Sequence, residues 1–226
     1  ASSFRPSDDA TTFQFLIPSN FFAVSSLRKA AEILTEVNNR PELAKECTDL
    51  AGEVETALRK YATYNHPKYG TIYAFEVDGF GNHLLMDDAN VPSLLAMSYL
   101  GYEPESQEVA DNTRKLILSE ANPFYYSGTK LSGIGSPHTP VRYVWHISKA
   151  IEGLTAPTKE EKHQMIHELM ATDGGTGLMH EGVFVDDPTV YTREWFSWAN
   201  AMFCELVMQY LSLIHISEPT RLRCIS

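Results

Sequence analysis

Short and long connections alternate between the predicted helices, and this alternation constrains the fold more than any other feature of the sequence. Apolar residues at helical spacing predict three helix pairs and one further helix, at residues 21–37 and 43–61, 91–100 and 106–119, 142–154 and 159–171, and 193–211. Short turns near residues 39, 102 and 156 join the members of each pair, and the remaining connections are long loops at residues 1–18, 63–90, 120–141 and 173–192. Because alternate connections in a ring of antiparallel hairpins emerge at opposite ends, the long loops are expected on one face. The pattern predicts an all-α fold, an α/α toroid with one working face.

Three local features refine this assignment. Thr158 and Glu161 form a capping box, which predicts a helix that begins at residue 159. The segment "TIYAFEV", residues 71–77, predicts a short strand inside the second long loop. Residues 212–226 resemble a translated sequencing adapter, and we expect them to be a non-native tail that does not continue the preceding helix.

Charge and composition disfavour several classes of partner and compartment. A net charge of −11, with no Lys/Arg cluster to offset it, disfavours nucleic acid. The longest apolar runs, such as "FLIP" and "VPSLLAM", are too short to span a bilayer, so no membrane segment is predicted. No charged-then-apolar leader opens the chain, which begins without Met inside a candidate functional loop. Cys47, Cys204 and Cys224 form no disulfide framework or metal-ligand spacing, and the sequence contains no N-glycosylation sequon. These absences favour a reducing, intracellular compartment and leave the localisation open.

The long loops concentrate side chains that suit a neutral polyhydroxyl ligand. Carboxylates and amides bond hydroxyl groups, and aromatic rings stack on the apolar face of a pyranose. The fourth loop, "GTGLMHEGVFVDDP", places Glu181 among glycines and apolar residues, where a carboxylate is a candidate proton carrier. The candidate residues in or directly after the long loops are Arg5, Asp8, Asp9, Asn82, Asp87, Asp88, Asn90, Ser136, His138, His180, Glu181 and Trp195.

Some of the same positions also have structural explanations. The pair Asp87 and Asp88 suits a turn or a helix cap as well as a ligand contact. Asp186 and Asp187, before a proline, predict a turn. The segment "DGFGN" predicts a tight turn in which glycine permits positive φ. His146, beside a tryptophan on a helix, is expected in the core.

Three functions that fit the same loops have to be compared. Oxygen-rich loops suit a calcium-dependent sugar hydrolase, although no EF-hand spacing occurs. Paired aspartates on a helical chain suit a magnesium-dependent pyrophosphate lyase, which would need DDxxD-like spacing and basic residues that the sequence lacks. A non-catalytic carbohydrate-binding protein would need the rings and amides but not two separated carboxylates. Because the Asp pairs match no cation loop, no metal or other cofactor is predicted.

The loop motifs together resemble glycoside hydrolase family 125, the exo-α-1,6-mannosidases, and particularly its fungal members. The motifs are "FRPSDD…LIPSN", "FEVDGFGN…MDDANVPSLL", "GIGSPHTP…VWHI", "TDGGTGLMHE" and "DDP…TREWFSWAN", which span nearly all of residues 4–211. The resemblance implies an (α/α)6 barrel and metal-independent release of terminal α-1,6-linked mannose, from an oligosaccharide or glycan, with inversion. It also implies that residues 1–211 are the carboxy-terminal part of one catalytic barrel, because they supply about seven of the twelve helices that six hairpins require. The chain alone is therefore expected to be unstable, and an inactive fragment is the alternative.

The resemblance also assigns roles to individual residues. The general acid falls on the Asp pair of "RPSDD", with Asp8 preferred and Asp9 as the alternative. The general base falls on the glutamate of "MHE", Glu181. The expected substrate contacts, which rest on motif position and sugar chemistry, are Arg5, Asn82, Asp87, Asp88, Asn90, Ser136, His138, His180 and Trp195.

Overall fold

The computed structural model describes residues 1–217, and the side chains of residues 1–212. Six helices lie in that range: α1 (Ile17–Glu36), α2 (Pro41–Tyr61), α3 (Gln107–Ile117), α4 (His146–Leu154), α5 (Lys159–Ala171) and α6 (Ser197–Ser217). The chain divides into two compact units. The first consists of Ala1–Tyr125 and Ser136–His138, and the second of Tyr126–Gly135 and the residues from Thr139 onward. No helix among the described residues is both long and apolar enough to cross a membrane.

The helical hairpin of α1 and α2 forms the framework of the first unit. Each helix carries a proline in its first turn, Pro18 and Pro41, where the fixed φ suits a helix and the missing N–H has no intrahelical partner to lose. Phe21 of α1 is fully buried, and its ring stacks on Tyr102 at 4.3 Å and meets the edge of Tyr73 at 5.1 Å. Aromatic packing therefore joins the hairpin to the loops that follow it.

Short antiparallel strands bring the first two loops of this unit together. The strands are β1 (Phe15–Leu16), β2 (Thr63–His66), β3 (Gly70–Tyr73), β4 (Glu76–Val77) and β5 (His83–Leu84). The central strand β4 pairs with β1 on one side and with β5 on the other, and the register places Leu16 opposite Glu76. The β2–β3 hairpin packs against α3, where the Thr113 hydroxyl accepts a hydrogen bond from the Tyr73 amide (2.9 Å). Pairing with β4 therefore anchors the first loop to the second.

The second unit is built around the buried helix α4, which packs against α5 and α6. Lys162 of α5 is buried, and its Nζ donates to the carbonyls of Gly153 and Leu154 at the end of α4 (2.8 and 2.9 Å), so it caps that helix. The strands of this unit are β6 (Tyr125–Ser127), β7 (Ser132–Ile134), β8 (Tyr143–Trp145), β9 (Gly182–Phe184) and β10 (Tyr191–Thr192), with β6 paired to β7 and the others in the order β10-β9-β8. Asp187 forms the predicted turn, since its Oδ1 accepts from the Thr189 amide (3.0 Å).

One predicted helix is absent, and the strands were largely missed. Residues 91–100 form successive turns that end at Gly101, where φ is 75°, and the Ser93 carbonyl accepts from the Ala96 amide as in a single turn. Pro92 lies inside the apolar run, and a proline removes the backbone donor that a helix interior needs. Residues 71–77 contain parts of two strands, β3 and β4, in different sheets. The described residues therefore form six helices, as an α-class fold requires, with short strands of two to four residues in the connections between them.

Several helix boundaries also differ from the prediction. Helix α1 begins at Ile17 instead of residue 21, and α3 ends at Ile117 instead of residue 119. Helix α4 begins at His146 because residues 143–145 form β8. Helix α6 begins at Ser197 and continues to Ser217, so residues 212–217 do continue the preceding helix, contrary to the expectation for a tail. They contain no glycine or proline to end it. The remainder of the predicted non-native tail, residues 218–226 with Cys224, lies outside the described residues. The predicted end of α2 at Tyr61 and both predicted bounds of α5 are confirmed, and Thr158 caps α5 as expected.

Candidate active site

The first loop presents Asp8 at the surface in a conformation that is unusual for a residue with a side chain. The Asp8 amide donates to the Arg5 carbonyl (3.0 Å), and the Arg5 amide donates to the Asp9 carbonyl (2.8 Å), so the loop closes on itself. Asp8 has a φ of 68°. Left-handed non-glycine residues cost about 1–3 kcal/mol and cluster at active sites. The exposed Asp8 carboxylate has no hydrogen-bond partner in the part of the chain that the structure describes.

Asp9 lies at the edge of a polar group that we call the carboxylate cluster, which consists of Ser7, Asp9, Asp88, Ser136 and His138. The Ser7 hydroxyl bridges the two acids, at 2.8 Å from Asp9 Oδ2 and 3.1 Å from Asp88 Oδ2. Ser136 bonds Asp88, and its hydroxyl accepts from the His138 amide (3.2 Å). His138 Nδ1 lies 3.6 Å from Asp9 Oδ2. The first unit therefore joins candidate residues from three of the four long loops.

Burial controls the protonation of the carboxylate cluster. Asp88 is 1% exposed, and its burial raises its pKa. Hydrogen bonds from the Asn90 amide and from two serine hydroxyls partly offset this rise. A hydroxyl can donate to a carboxylate or accept from a protonated acid, so the serines suit either state of Asp88. The cluster can therefore hold a proton beside Asp9.

Glu181 is the buried candidate carboxylate of the second unit. It directly precedes β9, it is 5% exposed, and its amide donates to the Thr192 carbonyl (3.3 Å). Glu181 Oε1 lies 3.3 Å from Nε of Arg193, whose side chain is exposed and whose φ is 47°. Among the described residues, Glu181 Oε2 accepts no hydrogen bond, so this oxygen is available to a water molecule or a ligand.

Glycines bend the backbone just before Glu181. Gly174, Gly175 and Gly177 have φ values of 63°, 78° and 70°, a region that residues with side chains rarely adopt. The Asp173 carboxylate holds this bend by accepting from the Gly175 amide (2.8 Å) and the Gly177 amide (3.0 Å). A Gly-rich segment predicts a sharp bend of the backbone, and the structure confirms this bend directly before Glu181.

Residues 1–208 match the family described as metal-independent alpha-mannosidase, glycoside hydrolase family 125. The chain belongs to glycoside hydrolase family 125. It is 42% identical over 211 residues to the Meiotically up-regulated gene 157 protein of Schizosaccharomyces pombe, which covers 93% of this chain and 41% of that protein. A metal-independent α-mannosidase of Streptococcus pneumoniae, solved in a non-productive complex with α-1,6-mannobiose, is 50% identical with a TM-score of 0.90 over 94% of this chain and 50% of its own.

A bacterial glucoamylase solved with acarbose shares the fold of this family 125 chain. It is 16% identical, with a TM-score of 0.68 over 88% of this chain and 34% of the glucoamylase, and at that identity the likeness shows the fold alone. Both solved relatives are (α/α)6-type glycosidases. The present chain spans half or less of the length of each of these relatives.

Asp87, a predicted substrate contact, is fully buried inside the family 125 chain. The amides of Leu94 and Leu95 donate to its two carboxylate oxygens (2.8 and 2.9 Å). Burial raises the pKa of Asp87 to about 7, against the effect of these hydrogen bonds. The contacts favour the turn-capping alternative for Asp87 over a contact with substrate.

His180, another predicted contact, is also occupied by internal partners. It is fully buried, its Nδ1 lies 2.7 Å from the Glu194 carbonyl oxygen, and its ring stacks on Tyr191 at 3.8 Å. Its amide donates to Nδ1 of His146 (3.0 Å). His146 is fully buried as predicted, and burial lowers its pKa to about 3. Both histidines therefore serve the packing beneath Glu181.

Arg5 and Asn82 likewise contact other protein groups. Arg5 is 8% exposed, and its Nε donates to Oε1 of Glu76 (2.7 Å). Asn82 occupies the predicted "DGFGN" turn, where its Nδ2 donates to Asp78 Oδ2 (2.5 Å), outside the carboxylate cluster. The structure therefore gives Arg5 a role in holding the first loop and Asn82 a role in a surface turn.

Asn90 and Trp195 keep groups that a ligand can use. Asn90 is 3% exposed and its Nδ2 donates to the Pro6 carbonyl (3.0 Å), yet its buried Oδ1 has no partner within residues 1–217. Trp195 precedes α6 and is 65% exposed, so its ring can stack on a sugar. Asn90 borders the carboxylate cluster, since its amide bonds Asp88 (3.3 Å).

Glu76 is a polar residue of the second long loop to which the sequence analysis assigned no role. It is fully buried on β4 and bonds Arg5, Thr12 and Phe13 at the two ends of the first loop. Its sequence context is an ordinary strand, "AFEV", and its partners lie 63–71 residues away. The one signal in the sequence that could have identified its role is its charge inside an otherwise apolar strand.

Two other features lie apart from the predicted chemistry. An apolar cavity of about 630 Å³ lies between α2 and the turn after β4, and none of the predicted site residues lines it. Over the described residues, no group of three or more His, Cys, Asp or Glu side chains is placed to hold a metal ion.

Proposed function

We propose that this chain belongs to a glycoside hydrolase that releases non-reducing terminal α-1,6-linked mannose. The observation that carries the proposal is the exposed carboxylate of Asp8, whose backbone is in the left-handed region. Buried polar groups hold its loop, and the chain belongs to an α-mannosidase family. The linkage is suggested by the α-1,6-mannobiose bound to the relative that is 50% identical. The ligand class is a mannose-containing oligosaccharide or glycan.

The proposed mechanism is a single displacement with inversion. Asp8, or Asp9 as the alternative, donates a proton to the glycosidic oxygen as its bond to the anomeric carbon breaks. Glu181 takes a proton from the water that attacks this carbon from the opposite face, so mannose leaves with the opposite anomeric configuration. Such a pair needs a separation of about 6.5–9.5 Å to admit the water. The available Oε2 of Glu181 and the exposed carboxylate of Asp8 support these two roles.

The proposed substrate contacts are those that keep a polar group or a ring for a sugar. Asn90 offers its unpartnered Oδ1 to a hydroxyl, and His138 lies beside Asp9. Trp195 offers an exposed ring to a pyranose face. Asp88 and Ser136 are buried, and we assign them to the support of Asp9. No metal takes part in the proposed mechanism, which the description of the family supports.

We further propose that residues 1–211 are the carboxy-terminal part of a single catalytic barrel. The relatives support this because each contains at least as much chain again as the part that matches. Twelve helices build six hairpins, and the described residues contain six helices. Activity is therefore to be tested on the intact protein that carries this sequence.

The deciding experiment is incubation of the intact protein with α-1,6-mannobiose, with the products followed by NMR. We expect free mannose, first formed as the β anomer from the α-linked substrate because inversion changes the anomeric configuration. If the α anomer were formed first, the enzyme would be retaining and the proposed inversion would be wrong. Release of internal oligosaccharides from longer mannans, or no release from any mannoside, would refute the proposal, and binding without cleavage would support a carbohydrate-binding protein.

A further inference from the structure

One buried carboxylate holds both ends of the loop that carries Asp8 and Asp9, which we call the acid loop (residues 5–13). Glu76 Oε1 accepts from Arg5 Nε (2.7 Å), and Oε2 accepts from the amides of Thr12 (2.7 Å) and Phe13 (2.9 Å). Each oxygen of one side chain therefore holds a different end of the loop.

The contacts of Glu76 are strong because its carboxylate is ionised when it pairs with Arg5, and this ion pair is shielded from water. Glu76 is fully buried, and the side chain of its partner Arg5 is 7% exposed. Hydrogen bonds to an ionised carboxylate are roughly twice as strong as neutral ones, and a buried ion pair that loses one partner leaves an uncompensated charge. The Arg5 guanidinium also lies over the Phe75 ring, at 5.5 Å, which restricts its position.

The hydrogen bonds inside the acid loop transmit this anchoring to the two aspartates. The Arg5 carbonyl accepts from the Asp8 amide (3.0 Å), and the Arg5 amide donates to the Asp9 carbonyl (2.8 Å). Asp8 and Asp9 are therefore both hydrogen-bonded to the backbone of Arg5, and the side chain of Arg5 is bonded to Glu76. A rotation of Arg5 would displace both carboxylates together.

We propose that Glu76 is a positioning residue that fixes the acid loop for proton transfer to the departing sugar oxygen. This inference rests on the proposed function, and it applies whether Asp8 or Asp9 is the acid. Glu76 is too deeply buried to touch a substrate, so its effect passes through Arg5 and the loop backbone. A misplacement of about 1 Å by a remote residue can lower a rate by about a hundredfold.

A comparison of two leaving groups distinguishes a displaced acid loop from a general loss of folded protein. A sugar oxygen is a poor leaving group and needs the proton of the acid, whereas fluoride departs with little need for one. A displaced acid loop should slow the hydrolysis of α-1,6-mannobiose far more than that of α-mannosyl fluoride. Loss of folded protein would slow both in equal proportion.

The test is Glu76→Gln in the intact protein, with both substrates. Gln has one acceptor oxygen where Glu has two, so it directs an amide donor either towards Arg5 or towards the amides of Thr12 and Phe13. We expect kcat/KM for α-1,6-mannobiose to fall by about a hundredfold, mainly through kcat, and that for the fluoride by less than about tenfold. The matched control is Glu46→Gln, the same change at an exposed position of α2, which should alter neither value.

A second variant and a direct measurement keep the inference testable if Glu76→Gln folds poorly. Glu76→Asp keeps the charge but withdraws it by one methylene, and should show the same contrast between substrates on a smaller scale. Equal losses on both substrates, or no loss, in either folded variant would overturn the inference. If the parent cleaves neither substrate, the proposed function fails instead. Hydrogen exchange at the Thr12 and Phe13 amides then decides, since unchanged protection in Glu76→Asp would also reject the positioning role.

Discussion

Glu181 Oε1 lies 3.3 Å from Arg193 Nε, so the carboxylate proposed as the base has a cation on one side only. The arginine contacts one oxygen, and the other oxygen accepts no hydrogen bond from the described residues. A general base needs such an oxygen within reach of water.

Replacement of this carboxylate should abolish turnover while leaving substrate binding largely intact. Glu181→Gln keeps the shape of the side chain but cannot take the proton of the attacking water. We expect kcat on α-1,6-mannobiose to fall by about 10²- to 10⁴-fold with KM near its parental value. Steady-state kinetics of the intact protein measure both, with Glu160→Gln on the exposed face of α5 as the control. A variant with near-parental kcat would remove Glu181 from the mechanism.

Chelation should leave the activity unchanged. The proposed mechanism uses only carboxyl groups and water, and no cluster of three or more candidate ligands lies within residues 1–217. Initial rates on α-1,6-mannobiose should therefore be equal before and after dialysis against EDTA. Activity that disappears in EDTA and returns with Ca²⁺ would favour the calcium-dependent alternative.

Two glycines should respond to alanine in opposite directions. A Cβ on Gly128 would lie 2.5 Å from Val185 Cβ and from the Val185 carbonyl oxygen. Gly128→Ala therefore pushes the β6–β7 turn away from Val185 and should lower the free energy of unfolding by about 1–3 kcal/mol. Gly52, inside α2, has no atom within 4 Å of the added carbon, and Gly52→Ala should stabilise by about 0.5–1 kcal/mol. Denaturant unfolding measures both, and equal effects would contradict the packing described for Gly128.

The sequence predicted those parts of the fold and site whose determinants are local. The bounds of α5 follow from an apolar period and a capping box within a few residues, and the bend before Glu181 from consecutive glycines. Strands of two to four residues are too short to show a period, so most of them were missed. The role of Glu76 was missed because it depends on a contact with Arg5, 71 residues away. Likewise, the burial that makes Asp87 and His180 structural comes from tertiary packing.

Asp87 should make the protein less stable as pH rises towards neutrality. Its folded pKa, about 7, lies above the ordinary value of 3.8 for an aspartate, so between these values the folded state binds more protons than the unfolded state. The stabilisation is complete below pH 3.8 and declines by up to about 1.4 kcal/mol per pH unit until pH 7. Asp87→Asn does not titrate, so its free energy of unfolding should fall less than that of the parent between pH 4.5 and pH 7. Parallel curves would show that Asp87 is ionised when folded.

His146 should make the protein more stable as pH rises, opposite to Asp87, over an overlapping pH range. Its folded pKa, about 3, lies below the ordinary value of 6.5 for a histidine, so the unfolded state binds the extra proton as pH falls. The stabilisation from neutral, buried His146 is complete above pH 6.5 and is lost progressively towards pH 3. His146→Asn removes this titration while its side-chain oxygen can still accept from the His180 amide.

Between pH 4.5 and pH 6.5 the effects of Asp87 and His146 on the stability of the parent oppose each other. Asp87→Asn should therefore make the stability of the protein rise more steeply with pH, and His146→Asn should make it rise less steeply. Thermal or urea unfolding of the intact protein at several pH values measures these slopes. Slopes that change in the same direction for both variants would contradict the opposite effects of burial on an acid and a base.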